Sequence, residues 1–147
     1  MLLIDSPVAI HCRGVLRLRP PLIYWRCARE AALQGLELAH HTVEVLADGQ
    51  AADVVLLDLT HISAFTDYFV VATIDNVRQM RAVLDALQED LREHSSERTA
   101  REEGSTESGW VLFDLSEVVV HLFSLERRAY YNIEGLWSSA REVVHIQ

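Results

Sequence analysis

Two helical patterns separated by two short apolar runs constrain the fold of this chain most. Apolar residues recur at spacings of three and four from about Cys27 to Leu46 and again from Val77 to Glu93, which is typical of helices with one buried face. Between these patterns lie Ala52–Leu59 and Tyr68–Ala72, β-favouring runs too short for helices, the first apolar enough for a strand covered on both faces. The sequence therefore predicts helices packed on a sheet.

The C-terminal third adds a hairpin and a tail. Two more apolar runs, Trp110–Phe113 and Val118–Phe123, are so close that an antiparallel hairpin is expected. The polar stretch 95–109 allows at most a short edge strand near residues 98–101. A short helical tail contains Tyr130, Tyr131, Leu136 and Trp137. The predicted order is α-β-β-α-β-β-β-α, an α/β (α+β) fold with a mixed sheet covered by helices.

The length of 147 residues favours one domain with a substantial core. Residues 1–29 contain three prolines, five arginines and no sustained period, so we expect a loose N-terminal extension, or an artefact of the assigned gene start, ahead of a single domain at residues 30–147. No apolar run approaches a membrane span, and residues 1–29 lack the order of a secretory signal. Two cysteines, Cys12 and Cys27, are too few for a disulfide framework, so we expect a cytoplasmic protein with free thiols.

Charge is distributed unevenly along the chain, whose formal net charge is -9. Residues 1–30 carry +3, and residues 31–147 carry -12 from eight arginines and twenty acidic residues. A domain this acidic repels nucleic-acid backbones, which are bound by basic surfaces. If it works near RNA, its direct partner is expected to be a basic protein.

The turn from the second strand into the second helix, Ala72–Asn76, bears on both helix capping and nucleotide binding. Asp75 or Thr73 is predicted to cap the helix. The turn has no glycine and places a carboxylate where a phosphate would lie, so nucleotide binding there is disfavoured.

Residues with catalytic or metal-binding chemistry do not form a set along the sequence. Asp53 and Asp58 are expected at opposite ends and faces of one strand, so they cannot share a metal ion. His40 and His41 are adjacent on a helix and point about 100° apart, so they cannot chelate together. His121 lies within an apolar strand and is predicted to be a hydrogen-bonded core or sheet residue. We therefore expect no catalytic residue, no metal site and no cofactor.

Trp110 is expected at the N-terminal end of its strand, directly after a polar loop. Alternation places Trp110, Leu112 and Asp114 on one face and Val111 and Phe113 on the other. An aromatic residue at such a place either packs in the core or anchors a partner.

Several linked blocks closely resemble the ribosomal silencing factor family, also called the Iojap family. The blocks run in order from about residue 36 to 138: Ala52–Leu59, Phe65–Thr73, Arg78–Met80, Glu103–Gly104, Trp110–Asp114, Glu117–Phe123, Arg128–Tyr131 and Leu136–Trp137.

This resemblance implies a non-enzymatic protein that regulates translation. Such proteins bind the large ribosomal subunit through a basic ribosomal protein, uL-fourteen, and sterically block joining of the small subunit. They thereby lower translation when nutrients are scarce, with a further part in large-subunit assembly. The implied fold is like that of nucleotidyltransferases without their catalytic carboxylates, and no cofactor is implied.

The resemblance also places a docking surface on this chain. Carried over by position, it comprises Trp110, Val111, Leu112 and Asp114, with Glu103 and Gly104 alongside. Apolar residues would supply the anchor and carboxylates would pair with basic residues at the rim. The chain departs from the family at two turns: Thr73–Asp75 stands where a serine-glycine-threonine-like turn is usual, and Ser116 stands where glycine is usual.

Two other functions remain open at this point. One is a nucleotidyltransferase-like enzyme that uses Asp58, Asp67 or Asp114 with Mg²⁺. The other is a homodimeric interaction module whose sheet face pairs with a second copy.

Overall fold

A computed structural model describes residues 35–94 and 100–147. The expected extension at residues 1–29 and the start of the first predicted helix lie outside the described residues. The elements in chain order are α1 Gly35–Asp48, β1 Ala52–Asp58, β2 Tyr68–Thr73, α2 Val77–His94, β3 Arg101–Ser105, a 3₁₀ turn Thr106–Ser108, β4 Trp110–Asp114, β5 Val118–Phe123, α3 Leu125–Tyr131, α4 Ile133–Leu136 and β6 Arg141–Ile146.

The described strands form one six-stranded sheet in the order β3-β4-β5-β2-β1-β6. β2 and β5 are parallel, and every other neighbouring pair is antiparallel. The predicted mixed sheet and the β4–β5 hairpin are therefore confirmed. Since α2 and the β3–β4 pair lie between β2 and β5 in the chain, they provide the long connection that parallel neighbours require.

Apolar side chains fill both faces of the sheet. One face packs against α1 and α2, whose buried residues Leu38, Leu46, Met80, Val83 and Leu87 belong to the larger core. The opposite face carries a smaller core that includes Val55 and Phe69, with Leu112, Ile133 and Trp137 packed against it. Strand β1 contributes to both cores, as the continuous apolar run Val54–Leu57 predicted.

Two strands differ from the sequence prediction. β3 spans Arg101–Ser105, further along the chain than the expected edge strand near residues 98–101. Residues 98 and 99 of that expected strand lie outside the described residues. All five β3 residues are exposed and none is apolar, so no hydrophobic alternation marks the strand. β6, Arg141–Ile146, was not predicted at all. It pairs with β1 through an irregular register at the other edge of the sheet and is largely exposed.

The cap of α2 also differs from the prediction. The side-chain oxygen of Asn76 accepts a hydrogen bond from the Gln79 N–H at 2.9 Å, and the Gln79 side chain in turn accepts from the Asp75 N–H at 3.0 Å. Neither Asp75 nor Thr73 therefore caps the helix. Asn76 occupies that position and closes a reciprocal pair of bonds that resembles a capping box.

None of the helices described within residues 35–94 and 100–147 combines the length and the apolar character needed to cross a lipid bilayer.

Candidate docking surface beside the β3 edge

Strand pairing divides the six predicted docking residues between the two faces of the sheet. Across the β3–β4 ladder, Glu103 stands opposite Leu112 and Gly104 stands opposite Val111. Because side chains alternate along each strand, Trp110, Leu112, Asp114 and Glu103 share the face away from α1 and α2. Val111 and Gly104 belong to the helix-covered face.

Val111 is fully buried, with 0% of its surface exposed, in the core beneath the helices. Its side chain is therefore not available to a partner. Phe113, two residues along, is buried in the same core. The sequence alternation alone had separated these two residues from Trp110.

Gly104 shapes the surface through its backbone. It lies at φ +96°, and a Cβ added there would collide with the carbonyl oxygen of Trp110. Glycine is the residue that accepts both the positive φ and the close approach. Gly104 thus lets β3 run tightly beside β4 and offers no side chain of its own.

Trp110 lies within an aromatic stack. Its ring centroid is 5.3 Å from that of Phe123 and 4.5 Å from that of Tyr131. Its indole Nε1 is buried and has no hydrogen-bond partner among the described residues. Trp110 is half-buried, so part of the residue packs inside the protein and part remains at the surface.

His121 lies directly beneath this stack. Its ring contacts Phe69 edge-to-face at 4.8 Å and lies parallel to Phe123 at 5.9 Å between centroids. The prediction that it is buried is confirmed, but the expected hydrogen bond is absent, because neither ring nitrogen has a partner in the described part of the chain. Burial lowers the pKa of His121 to about 4, and the charge of Glu134 opposes this shift only in part. The imidazole is therefore neutral near pH 7.

The β3 edge brings one acidic side chain, Glu103, to the rim of this face. β3 has one strand neighbour in the described sheet, so its outer edge is open. Glu102 and Glu103 are both exposed and point to opposite faces; Glu102 accepts a hydrogen bond from the side-chain amide of Gln88 on α2 at 3.0 Å. Glu103 lies on the side of Leu112 and Trp110.

Exposed apolar side chains continue this face away from β3. Phe65 is 66% exposed, with its ring 6.0 Å from that of Trp137. Tyr130 and Leu136 are 77% and 74% exposed. Their large exposure was not predicted, because a loop or a short helix leaves no periodic signal that tells an exposed apolar residue from a buried one.

The three carboxylates of the enzyme alternative do not converge. Asp58 ends β1 and accepts hydrogen bonds from the Thr60 N–H at 3.0 Å and the Thr60 hydroxyl at 2.7 Å, which lower its pKa. Asp114 ends β4, and both β5 and β2 separate that strand from β1. Among residues 35–94 and 100–147, the only group of three or more side chains placed to hold a metal ion includes neither of these residues nor Asp67.

Comparisons with known proteins agree on one family. The family model described as ribosomal silencing factor during starvation matches residues 32–147. A ribosomal silencing factor from Halalkalibacterium halodurans is 37% identical over 107 residues, which cover 73% of this chain and 91% of the relative. The chloroplastic protein Iojap of Arabidopsis thaliana is 28% identical over 75% of this chain and 45% of its own length.

Solved structures show the same similarity at the level of the fold. A crystal structure of a Chromobacterium violaceum protein superposes with a TM-score of 0.67 at 32% sequence identity, covering 72% of this chain and 88% of that one. A Bacillus halodurans crystal structure superposes with a TM-score of 0.63 at 34% identity, covering 75% of this chain and 99% of that chain.

Proposed function

Because the chain belongs to the ribosomal silencing factor family, we propose that it binds the large ribosomal subunit and obstructs joining of the small subunit. The direct partner in this proposal is the basic ribosomal protein uL-fourteen. The chain acts in the cytoplasm by occupying space, without catalysis, and lowers translation when nutrients are limiting. A contribution to large-subunit assembly belongs to the same proposal.

One observation carries the choice of docking surface: an open edge strand that carries the carboxylate of Glu103 borders a face rich in exposed apolar side chains. Glu103 stands opposite Leu112 on the neighbouring strand, and Asp114 lies on the same face two residues along β4, opposite Arg101. A desolvated apolar centre with charges at its rim is the common arrangement of protein interfaces. The negative rim suits a basic protein and is repelled by RNA.

Each group of side chains has a separate part in this interface. Leu112 and the exposed part of Trp110 would supply the anchor, and Glu103 and Asp114 would pair with lysine or arginine of the partner. Val111 and Gly104 support this interface without contacting the partner through side chains. Val111 fills the core, and Gly104 allows β3 to lie close to β4.

The test is sedimentation of purified large and small subunits with and without the full chain. The wild-type protein is expected to co-sediment with large subunits and to deplete joined particles. Glu103→Arg reverses a rim charge on the docking face, so we expect affinity for the large subunit to fall about tenfold.

Glu102→Arg is the matched control, because Glu102 neighbours Glu103 on the same exposed strand and points to the opposite face. It makes the same change in net charge and is expected to leave binding within about twofold of wild type. Equal losses in the two variants would contradict the assigned face, and normal subunit joining at saturating wild-type protein would contradict the function.

Self-association through this face stays a prediction. A sizing column calibrated with mass standards, run without ribosomes, tests it.

A further inference from the structure

Two histidines and an aspartate from the two long helices meet on the outer side of the helix layer. His41 comes from α1, and Asp90 and His94 come from α2. The His41 Nε2 lies 2.8 Å from the Asp90 Oδ1, and the His94 Nδ1 lies 3.3 Å from that same oxygen. The two imidazole centroids are 5.0 Å apart.

The helix geometry holds these three side chains together. Asp90 and His94 are four residues apart, so they lie on the same face of α2, one turn from each other. α1 packs beside α2 through the shared core, which places His41 opposite them. The sequence could not show this contact, because His41 and Asp90 are 49 positions apart in the chain and the adjacent pair His40–His41 suggested no chelate.

The spacing is close to that of a metal-binding triad. One ligand atom from each side chain lies within 4.8 Å of the other two. Ligand atoms around a tetrahedral Zn²⁺ are about 3.3 Å apart, so side-chain rotations alone would close the site. Each side chain is partly buried, with 21% to 29% of its surface exposed, which leaves room for water as a fourth ligand.

Each imidazole has a further polar neighbour. The His41 Nδ1 lies 3.8 Å from the carboxylate of Glu44, while its Nε2 faces Asp90. The His94 Nδ1 lies 2.9 Å from the backbone oxygen of Asp90. Since the same His94 nitrogen faces both the backbone oxygen and the carboxylate of Asp90, an ion bound at that nitrogen would replace its bond to the backbone oxygen.

We propose that His41, Asp90 and His94 form a binding site for a divalent late transition-metal ion, for which Zn²⁺ is the best match. Two imidazole nitrogens and one carboxylate oxygen form a ligand set that Zn²⁺ accepts, whereas Mg²⁺ and Ca²⁺ prefer oxygen ligands alone. The bound ion links α1 to the last turns of α2 and thereby stabilises the helix layer. Without the ion, the same atoms form the observed hydrogen bonds.

This site is independent of the proposed ribosomal function. It lies on the helix layer, whereas the docking residues lie on the opposite face of the sheet. Metal binding is therefore measured on the free protein, and failure of either proposal leaves the other standing.

The experiment is calorimetric titration of the full chain with Zn²⁺ under reducing conditions. We expect one strong site, whose affinity falls at least tenfold in His41→Gln and in His94→Gln. His40→Gln is the matched control, because His40 is exposed, adjacent to His41 and outside the triad. This variant is expected to bind like wild type.

Two further measurements distinguish this site from binding by His11, Cys12 or Cys27, which lie outside the described residues. Co²⁺ bound to the triad gives a spectrum without sulfur-to-cobalt charge-transfer bands. Added Zn²⁺ is expected to raise the melting temperature of the wild type and His40→Gln, and to leave that of His41→Gln unchanged. Three results would overturn the proposal. They are undetectable Zn²⁺ binding, equal Zn²⁺ affinity in His40→Gln and His41→Gln, and a Co²⁺ spectrum with sulfur-to-cobalt bands that His41→Gln leaves unaltered.

Discussion

Ser116 adopts a backbone conformation that suits glycine better than serine. It lies at φ +73° in the turn between β4 and β5, where its N–H donates to the Asp114 carboxylate at 2.8 Å. A left-handed position costs a non-glycine residue roughly 1–2 kcal/mol. Glycine, which the family resemblance leads us to expect at this turn, would avoid this cost, so Ser116 is a position of local backbone strain.

Ser116→Gly is therefore expected to stabilise the protein. Relief of the strain exceeds the added entropy of the unfolded chain, so the free energy of unfolding should rise by about 0.5–1 kcal/mol. Urea denaturation measures the change. Ser116→Ala is the control, since alanine keeps the strain; a glycine variant no more stable than the alanine variant would contradict the interpretation.

Single residues also show how far the sequence predicts the arrangement of the proposed docking surface. The resemblance assigned docking to the β3–β4 region, which stays a prediction, whereas strand alternation correctly separated Val111 from Trp110 and Leu112. The structure adds the packing of Trp110 on Tyr131, a contact that depends on how α3 packs against the sheet. The spacing of residues in the sequence does not predict where α3 packs.

At the scale of elements, Arg128 links α3 to the central strands of the sheet by hydrogen bonds. Its Nη1 donates to the Asp53 backbone oxygen at 2.5 Å and to the Thr73 hydroxyl at 2.8 Å, and its Nε donates to Glu134 at 2.9 Å. Asp53 lies at φ +50° where the β1–β2 register shifts, so its carbonyl turns toward the arginine. The guanidinium is 10% exposed and connects β1, β2 and α4.

Arg128→Lys is expected to destabilise the protein by about 2 kcal/mol. Lysine keeps the charge, but its single ammonium cannot reach three partners in different directions, so buried acceptors lose their donors. Arg127→Lys is the control, because Arg127 is exposed and makes one side-chain bond, to the Ser108 backbone oxygen. Thermal unfolding followed by circular dichroism should show a clear loss for the first variant and little for the second; equal behaviour would contradict the role of Arg128.

The elements differ in how well the sequence predicted them, for a physical reason. α1, α2, β1, β2, β4 and β5 each bury apolar residues with a helical or strand period, and all six were predicted. β3 and β6 are the two sheet edges, largely exposed, and their sequences Arg101–Ser105 and Arg141–Ile146 do not alternate in polarity. Pairing with the neighbouring strand forms these edges, and that interaction leaves no local pattern.

At the scale of the whole molecule, two histidines give folding stability opposite dependences on pH. A hydrogen bond to Asp53 raises the pKa of His145 on β6. That contribution is present below the ordinary histidine pKa and is lost as pH rises through the raised value. His145 is exposed, so solvent screening keeps its effect small.

His121 acts in the other direction and with a larger effect. Since its pKa is about 4 in the folded protein and the ordinary histidine value is 6.5, the unfolded chain binds a proton between these values that the folded chain does not. Stability from this group is therefore full above about pH 6.5 and falls as pH drops toward 4, by about 3 kcal/mol in total.

His121→Phe keeps an aromatic ring between Phe69 and Phe123 and removes the titrating group. Between pH 6.5 and 4, the free energy of unfolding of this variant should therefore fall by about 3 kcal/mol less than that of wild type. Urea denaturation at a series of pH values measures both profiles, and the carboxylates common to both proteins cancel in the difference. His145→Gln is the control, whose profile should stay close to that of wild type over this acidic range. Parallel profiles for wild type and His121→Phe would mean that the imidazole gains a proton without unfolding, and that the aromatic face admits water beside Trp110.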